Sequence, residues 1–444
     1  MDLTEHQREV FEQLVEWYND TDSDRPFLCL KGAAGTGKSF LAAYFSAFAS
    51  VGGNVMVTAT TNSAVKVIQQ KCRKVNRFSG RSIEGMTIYR LLNLKVENDE
   101  DRIIIQQKKS YSEEKLYNLV VVDESSMVGD DIFDKIISSR RSLKWLFVGD
   151  HCQLIPVGSD ISPCFTLPTL VLTEVVRQAA SNPVMPLITT IRTHIEQDIE
   201  EIPDLENRFS EDKSSGIWNY PLAGRQAWYK KAVECFKSEA SENLGFARVI
   251  TLKNSTERVI NQQIRELVTG NKQPFAIGEK IVLKSSYFRL ESLVLPTGSE
   301  FTISECDETV IDPSDYGKYL LKDSIPGFIL TGYDEEGKRK QMTTIAPESE
   351  GILEDWEIKS KARIGDLMGW ERKKAWKSWH VFRNGIADVT YRYAATVRRM
   401  QGFDVENAFT VTADLCSPGI PMKSRLRNLY VAVTRSTQRV INLV

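Results

Sequence analysis

The sequence predicts an α/β protein built on doubly wound parallel sheets, and three observations carry that prediction. Short apolar runs recur at 27–30 (FLCL), 54–60 (NVMVTAT), 119–124 (LVVVDE) and 143–150 (LKWLFVGD), the last three ending in polar residues. Such runs suit parallel strands covered on both faces, with functional groups at their carboxyl ends. The first run leads into a glycine-rich loop and then a helix-forming stretch, SFLAAYFSAFAS. A second set, RVITL from residue 248, NAFTVTADL and the closing RVINLV, predicts a second α/β lobe beginning near residue 180.

Taken in order, LTEHQREVFEQLVEWY (3–18) reads as an amphipathic helix with Thr4 as its cap and Val10, Phe11, Leu14, Val15 and Tyr18 on the apolar side. Residues 93–118 are charged, with one β-like run at Arg102 to Gln107, and predict a small hairpin protruding from the first lobe. RVITLKNSTERVINQQIRELV (248–268) reads as strand then helix. IGEKIVLKSS and LPTGSEFTISECDETVI fit either a small barrel or an antiparallel extension, and ILEDWEIKSKARIGDLMGWERKKAWKSWHVF is helical. The chain closes as strand, helix, strand.

At 444 residues, the chain is long enough for roughly three units of about 150 residues each. With 42% hydrophobic and 26% charged residues it should bury substantial cores, which argues against disorder. No apolar run approaches the roughly 18 residues of a membrane span, and MDLTEHQREV is polar, so a cytoplasmic protein without a membrane partner is expected. The seven cysteines are scattered without a C-x-x-C pair and are expected to be reduced; they and the dispersed histidines argue against a transition-metal site. A net charge of −2 lacks the basic excess of many nucleic-acid binders, so any such binding must use a local groove.

Lys31 to Phe40, KGAAGTGKSF, fits the phosphate-cradling pattern G-x-x-x-x-G-K-[ST] in its required context. Backbone N–H groups from Gly32, Ala33, Ala34, Gly35, Thr36 and Gly37 would converge on phosphate oxygens, and Lys38 would reach the β- and γ-phosphates. The Ser39 hydroxyl would ligate Mg²⁺, and Phe40 follows beside it. Asp123 and Glu124 end an apolar strand, where the aspartate can hold Mg²⁺ through water and the glutamate can orient or deprotonate an attacking water. A carboxylate pair at a strand end is often only a solvated turn. Coupled to the upstream loop it points to hydrolysis. Gln153, after the next strand, is placed to sense a γ-phosphate, although a lone glutamine there is usually a surface residue.

With these stretches in view, KGAAGTGKS, VVVDESSM and VGDHCQLIPV resemble motifs I, II and III of superfamily 1 helicases, in the 5′-to-3′ branch that includes RecD and, nearest in length and layout, the Dda helicases of T-even phages. LTEHQ resembles the adenine-reading Q motif, with Gln7 as reader. VTATTNSAV resembles motif Ia, and MTIYRLL the DNA-contacting motif after it. LTEVVRQ resembles motif IV with Arg177, AATVRRMQGFDVENAF motif V, and YVAVTRSTQ motif VI with Arg435.

The resemblance implies two RecA-like motor domains, 1–92 with 119–178 and 179–270 with 385–444. It also implies a β-hairpin wedge at 93–118 and an SH3-like barrel with a helical tower at 271–384. ATP and Mg²⁺ would lie between the lobes, against Lys38, Ser39, Asp123, Glu124 and Gln153 on one side and Arg177, Arg435, Gln401 and Gly402 on the other. Single-stranded DNA would be held by Thr60, Asn62, Thr87 and Tyr89 on the first lobe and Thr396 and Arg398 on the second. Forked duplex DNA, a single-stranded DNA-binding protein or replisome components, and a monomeric state are the implied partners. The implied task is phage DNA replication or recombination in the host cytoplasm.

Two departures from the family pattern stand out. Motif V usually reads T-x-H-K-x-Q-G, whereas here Thr396-Val397-Arg398-Arg399-Met400-Gln401-Gly402 has an arginine that cannot lose its charge in place of the histidine. Motif Ia has Asn62 where the phage relatives have a histidine. The competing reading is a nucleotide-dependent switch, but N-K-x-D fails because Asn271-Lys272-Gln273 is followed by Pro274. Trp356, Trp370, Trp376 and Trp379 fit either a base-stacking platform or helices docking their aromatic faces, and no DNA role is assigned to them.

Overall fold

The computed structural model describes residues 3–20, 26–75, 80–99, 102–107, 117–138, 143–156, 159, 161–176, 182–289 and 292–444, with the backbone path alone at 95–99 and 102–107. The chain divides into two compact units, Met1–Glu257 with Ala394–Val444, and Arg258–Tyr393.

The first lobe of the first unit opens with α1 (Glu5–Asn19). Thr4 caps it through a reciprocal pair, Gln7 N–H to Thr4 Oγ1 and Thr4 N–H to Gln7 Oε1, both 3.2 Å. There follow β1 (Phe27–Gly32), α2 (Lys38–Ala49), β2 (Val55–Ala59), α3 (Asn62–Lys74), β3 (Glu84–Thr87) and α4 (Ile88–Leu91). After these come β4 (Leu94–Asp99), β5 (Arg102–Gln107), β6 (Leu119–Val122), α5 (Asp130–Ile137), β7 (Lys144–Gly149) and β8 (Thr169–Leu172). Six strands form a parallel sheet in the order β3-β2-β6-β7-β1-β8. This order sets the carboxyl ends of β1, β7 and β6 side by side, where open α/β sheets bind ligands.

The strands alternate between two cores. Leu30, Val57, Val121 and Leu146 meet Leu14, Leu41 and Phe45 on one face, while Cys29, Met56, Val122 and Phe147 meet Ile88, Ile132 and Ile136 on the other. The insertion at 93–118 contains an antiparallel hairpin, β4 against β5.

The second lobe begins with α6 (Met185–Glu196), β9 (Arg208–Phe209), β10 (Gly216–Tyr220), α7 (Arg225–Lys237), β11 (Ala247–Thr251) and α8 (Asn254–Thr269), inside which the second unit starts. That unit holds β12 (Lys280–Leu283), β13 (Tyr287–Arg289), β14 (Ser292–Leu295), β15 (Glu300–Ile311), β16 (Ile325–Asp334), β17 (Arg339–Ile345), α9 (Glu350–Gly365), α10 (Gly369–Asn384) and β18 (Val389–Tyr391). The second lobe resumes with β19 (Ala394–Thr396), α11 (Val397–Met400), β20 (Val405–Val411), α12 (Thr412–Leu415), α13 (Met422–Thr434) and β21 (Ser436–Leu443). Its sheet runs β19-β11-β20-β21-β10-β9, parallel except for the short edge strand β9.

The second unit is an antiparallel sheet, β17-β16-β15-β12-β18, with the separate hairpin β13-β14 and the two helices. Its limits, Arg258 and Tyr393, lie outside the 271–384 expected from sequence. The physical reason is that the later turns of α8 bond within it. Arg265 holds Glu279 at 2.6 and 2.9 Å, while Asn261 donates to Thr390 Oγ1 at 3.0 Å and accepts from Tyr393 N–H at 3.1 Å.

The tryptophan-rich segment separates into two kinds of residue. Trp356 and Trp379 are buried with Ile364, Ala375 and Phe382, Trp376 is half-buried against them, and Trp370 is 63% exposed. Docking therefore accounts for three of the four. Among the described residues no helix is long and apolar enough to cross a membrane.

Trp356 is 1% exposed, lies edge-on to Phe382 at 4.7 Å and donates from Nε1 to Leu321 O at 2.9 Å. Trp356→Ala should cost about 3–5 kcal/mol in urea unfolding. Trp370→Ala should stay within about 0.5 kcal/mol of the parent. Equal costs would contradict this assignment of the two residues.

Candidate nucleotide and nucleic-acid site

The loop between β1 and α2 is shaped by glycines where side chains do not fit. Gly35 and Gly37 have φ of 84° and 83°, in the left-handed region. A Cβ on Gly37 would lie 2.5 Å from Gln7 Nε2, and one on Gly32 would lie 2.7 Å from Leu172 O. Gly37 caps α2 without any side-chain bond, so the helix presents bare backbone amides, the usual environment for a bound anion. Lys38 Nζ donates to Ala33 O at 2.7 Å, and Thr36 Oγ1 donates to the same oxygen at 3.0 Å. Burial draws the Lys38 amine below the ordinary lysine range, while Asp150, Glu124 and Asp123 pull the other way. Gln7 is buried, with Nε2 donating to Thr36 O at 3.2 Å. Phe40 turns toward Tyr44, 6.3 Å between rings, and joins the aromatic packing between α1 and α2.

At the end of β6, Asp123 Oδ1 accepts from Ser39 Oγ at 3.4 Å and from Glu124 N–H at 3.0 Å. The hydroxyl and the carboxylate thus stand together as hard oxygen donors, a set that fits Mg²⁺. Glu124 has φ 52°, a left-handed conformation that non-glycine residues adopt mainly where surrounding structure enforces it. Gly402, with φ 78°, closes over Glu124, and a Cβ there would lie 3.3 Å from Glu124 Oε1. Burial and the neighbouring Asp123 raise the Glu124 pKa, with Arg435, Lys38 and Lys71 opposing.

The two lobes meet through motif V. Gln401 Nε2 donates to Ser126 Oγ at 2.9 Å and to Gln153 Oε1 at 3.1 Å, in a buried network. Arg435, buried at the end of α13, donates from Nε to Val431 O at 3.3 Å, and its charge acts on Glu124. Arg177 lies outside the described residues. Val176, just before it, donates its N–H to Gly35 O at 2.8 Å.

Three residues at the cleft were missed by sequence reasoning: Asp150, Arg192 and Tyr430. Asp150 follows β7 and accepts from Arg192 Nη1 at 2.8 Å, Tyr430 Oη at 2.8 Å and Cys152 N–H at 3.1 Å. Burial works against the carboxylate, but Lys38, Arg192, the Tyr430 hydroxyl and the Cys152 amide outweigh it and hold its pKa below the usual range. Tyr430 was within the stretch quoted as motif VI, and Asp150 within motif III. No local pattern marks Arg192.

Thr60 and Asn62 flank Thr61, whose Oγ1 accepts from Ala64 N–H at 3.2 Å and caps α3. Thr87 ends β3 and caps α4, accepting from Arg90 N–H at 3.4 Å, and Tyr89 is half-buried on that turn. These positions lie at one edge of the first sheet, at the carboxyl ends of β2 and β3. Thr396 ends the edge strand β19 of the second sheet and is buried, and Arg398 is exposed, with Nη1 4.0 Å from Met127 Sδ. Its neighbour Arg399 is bonded to the buried Glu257 and reaches Thr396 Oγ1 at 3.5 Å.

Two RecA-like sheets with a phosphate loop at the end of β1 define an α/β protein of the P-loop class. The AAA domain family matches residues 2–201, and the UvrD-like helicase C-terminal domain family matches 391–442. The chain is thus similar, at its two ends, to these two families. It is 31% identical over 189 residues to the ATP-dependent RecD2 DNA helicase of Deinococcus radiodurans, covering 41% of this chain and 23% of that protein, so it spans under a quarter of that relative's length. The Pif1 helicase from Bacteroides, solved with ADP-AlF3 and single-stranded DNA, shares the fold at TM-score 0.53 and 14% identity, covering 100% of this chain and 92% of that one. Pif1 from Candida albicans does so at 0.51 and 14%, covering 100% and 94%.

Folding raises the Glu124 pKa, so the native state binds this proton more tightly than the unfolded chain, and stability falls as pH rises from the unfolded carboxylate range through the native pKa. Glu124→Gln should therefore raise the melting temperature near pH 7, with the gain fading toward about pH 4. Melts of both proteins at the two pH values would measure it, and a variant less stable near neutrality would refute it.

Proposed function

We propose that the chain is an ATP-dependent 5′-to-3′ DNA helicase and single-stranded DNA translocase acting in the cytoplasm. The observation that carries this reading is the buried network in which Gln401 of the second lobe joins Ser126 and Gln153 of the first, beside the phosphate loop. A hydrolysis site assembled from two lobes suits a motor, because hydrolysis then depends on how the lobes are closed.

In this reading the loop amides and Lys38 take the polyphosphate, and Gln7 faces the base. Glu124 accepts the proton of an attacking water, a role for which its raised pKa suits it. Gly402 leaves room for that carboxylate. Ser39 and Asp123 would hold Mg²⁺, which would neutralise charge on the β- and γ-phosphates. Arg435, with Arg177 proposed as its companion, would balance negative charge developing at the γ-phosphate, a role worth about 10³ to 10⁵ in rate elsewhere. Thr60, Asn62, Thr87, Tyr89, Thr396 and Arg398 are the proposed contacts to single-stranded DNA. The β4-β5 hairpin is the proposed wedge, and a replication or recombination role of the phage type is the proposed setting.

Steady-state ATP hydrolysis should rise at least about tenfold on adding single-stranded DNA and should vanish in Lys38→Ala. Hydrolysis indifferent to DNA would leave a nucleotide switch instead. On tailed duplexes, a 5′ tail should support unwinding and a 3′ tail should not. Replacing 95–106 by a short glycine-serine turn should abolish strand separation while leaving DNA-stimulated hydrolysis within about threefold. Unwinding that survives this change would remove the wedge role.

A further inference from the structure

Asp150, His151 and Cys152 bring three potential ligand atoms within 4.8 Å of one another, which at first suggests a metal site. Their bonds point elsewhere. Both Asp150 oxygens are taken by Arg192 and Tyr430, and His151 Nε2 lies 3.2 Å from Glu196 Oε1. The cluster is one side of a junction between lobes, and its centre is the Tyr430 hydroxyl. That oxygen donates to Asp150 Oδ2 at 2.8 Å and accepts from Arg192 Nη1 at 3.1 Å and from Ala34 N–H at 3.3 Å. One donated and two accepted bonds fill the capacity of a phenol.

The four residues of the junction come from four elements. Ala34 lies in the phosphate loop and Asp150 at the end of β7, both in the first lobe. Arg192 sits on α6 and Tyr430 on α13, in the second. Helices α6 and α13 share a close-packed core through Ile188, Ile191, Leu429 and Val433. Arg435 is the residue after the end of α13, five positions beyond Tyr430, about 7.5 Å along the helix. On the other side, Gln153 N–H donates to Asp150 O at 3.1 Å, so motif III turns on the same aspartate.

We infer that Tyr430, held by Asp150 and Arg192, is a positioning residue that couples the phosphate loop to the placement of Arg435. The inference rests on the ATPase reading above. Ala34 N–H is one of the amides that a phosphate recruits, and its present acceptor belongs to the opposite lobe. A change at that amide therefore reaches α13, and with it Arg435, through one hydroxyl. The same hydroxyl touches the aspartate that anchors Gln153, so both arms of the cleft respond together.

The test is Tyr430→Phe in the full chain, which keeps the ring and removes all three bonds. Two quantities would be read: kcat and KM for ATP with single-stranded DNA, and the affinity of a fluorescent oligothymidylate with ADP against a non-hydrolysable ATP analogue. The expected result is KM within about twofold, kcat lower by at least about tenfold, and a ratio of the two DNA affinities moved toward one. A kcat within about twofold of the parent, with the ratio kept, would overturn the inference and leave Tyr430 a packing residue. Should Tyr430→Phe fail to fold, Arg192→Gln decides by the same criteria, since it removes the cation that fixes Asp150 and the hydroxyl together. Parent protein that hydrolyses ATP without regard to DNA would overturn the underlying reading, and the inference with it.

Discussion

The side-chain amide of Gln401 donates at once to Ser126 and Gln153, and the rest of the cleft is arranged around that junction. A buried amide is costly unless bonded, so its position is fixed to within hydrogen-bonding distance of two first-lobe groups. That fixes α11, which holds Gly402 over Glu124. It also sets where β20 begins, and through the sheet the approach of α13. Ser126 and Gln153 in turn belong to the turns that follow β6 and β7. Neighbouring parallel strands carry these turns, so the junction is referred directly to the rigid sheet rather than to flexible loops.

Charge inside the cleft follows the same economy. Lys38 and Arg192 face Asp150, Glu124 and Asp123, so each buried ion has opposite charge nearby. The Asp150 carboxylate stays ionised because cations and hydrogen bonds outweigh its burial, whereas Glu124, beside Asp123, is pushed toward protonation. Two carboxyl groups at the ends of adjacent strands are thereby pushed apart in acidity, which is how a site separates a fixed anion from a proton acceptor. The low net charge of the chain coexists with this concentrated internal arrangement.

The parallel α/β core was legible because strands buried on both faces leave unbroken apolar runs, and because the glycine-rich loop can follow only a strand and precede a helix. The helical character of 350–384 was legible too, but whether its tryptophans faced in or out was not. Trp370 and Trp376 look alike in sequence and differ only through the packing of α9 on α10. The limits of the second unit were harder to see, since α8 is continuous in sequence and only the partners of Asn261 and Arg265 reveal where it changes allegiance. Asp150 and Tyr430 stood inside quoted motifs yet carried no signal of their own. Arg192 needed the fold, because two of its partners, Asp150 and Tyr430, lie 42 and 238 residues away, and its pair with Glu196 one turn along the helix gives no hint of them.

The tandem Arg398-Arg399 reads as one basic dipeptide, yet the two guanidinium groups belong to different problems. Arg398 is exposed at the edge of the second sheet, whereas Arg399 is the cation beside the buried Glu257 at the start of α8. Removing the second would take a cation away from a buried carboxylate, at a cost to folding. Removing the first alters the contact with Met127 and what the surface offers to solvent or ligand. Neighbouring positions in one motif would therefore tolerate change under different selection, one for foldedness and the other for recognition, and a substitution survey that pooled them would average two unrelated quantities.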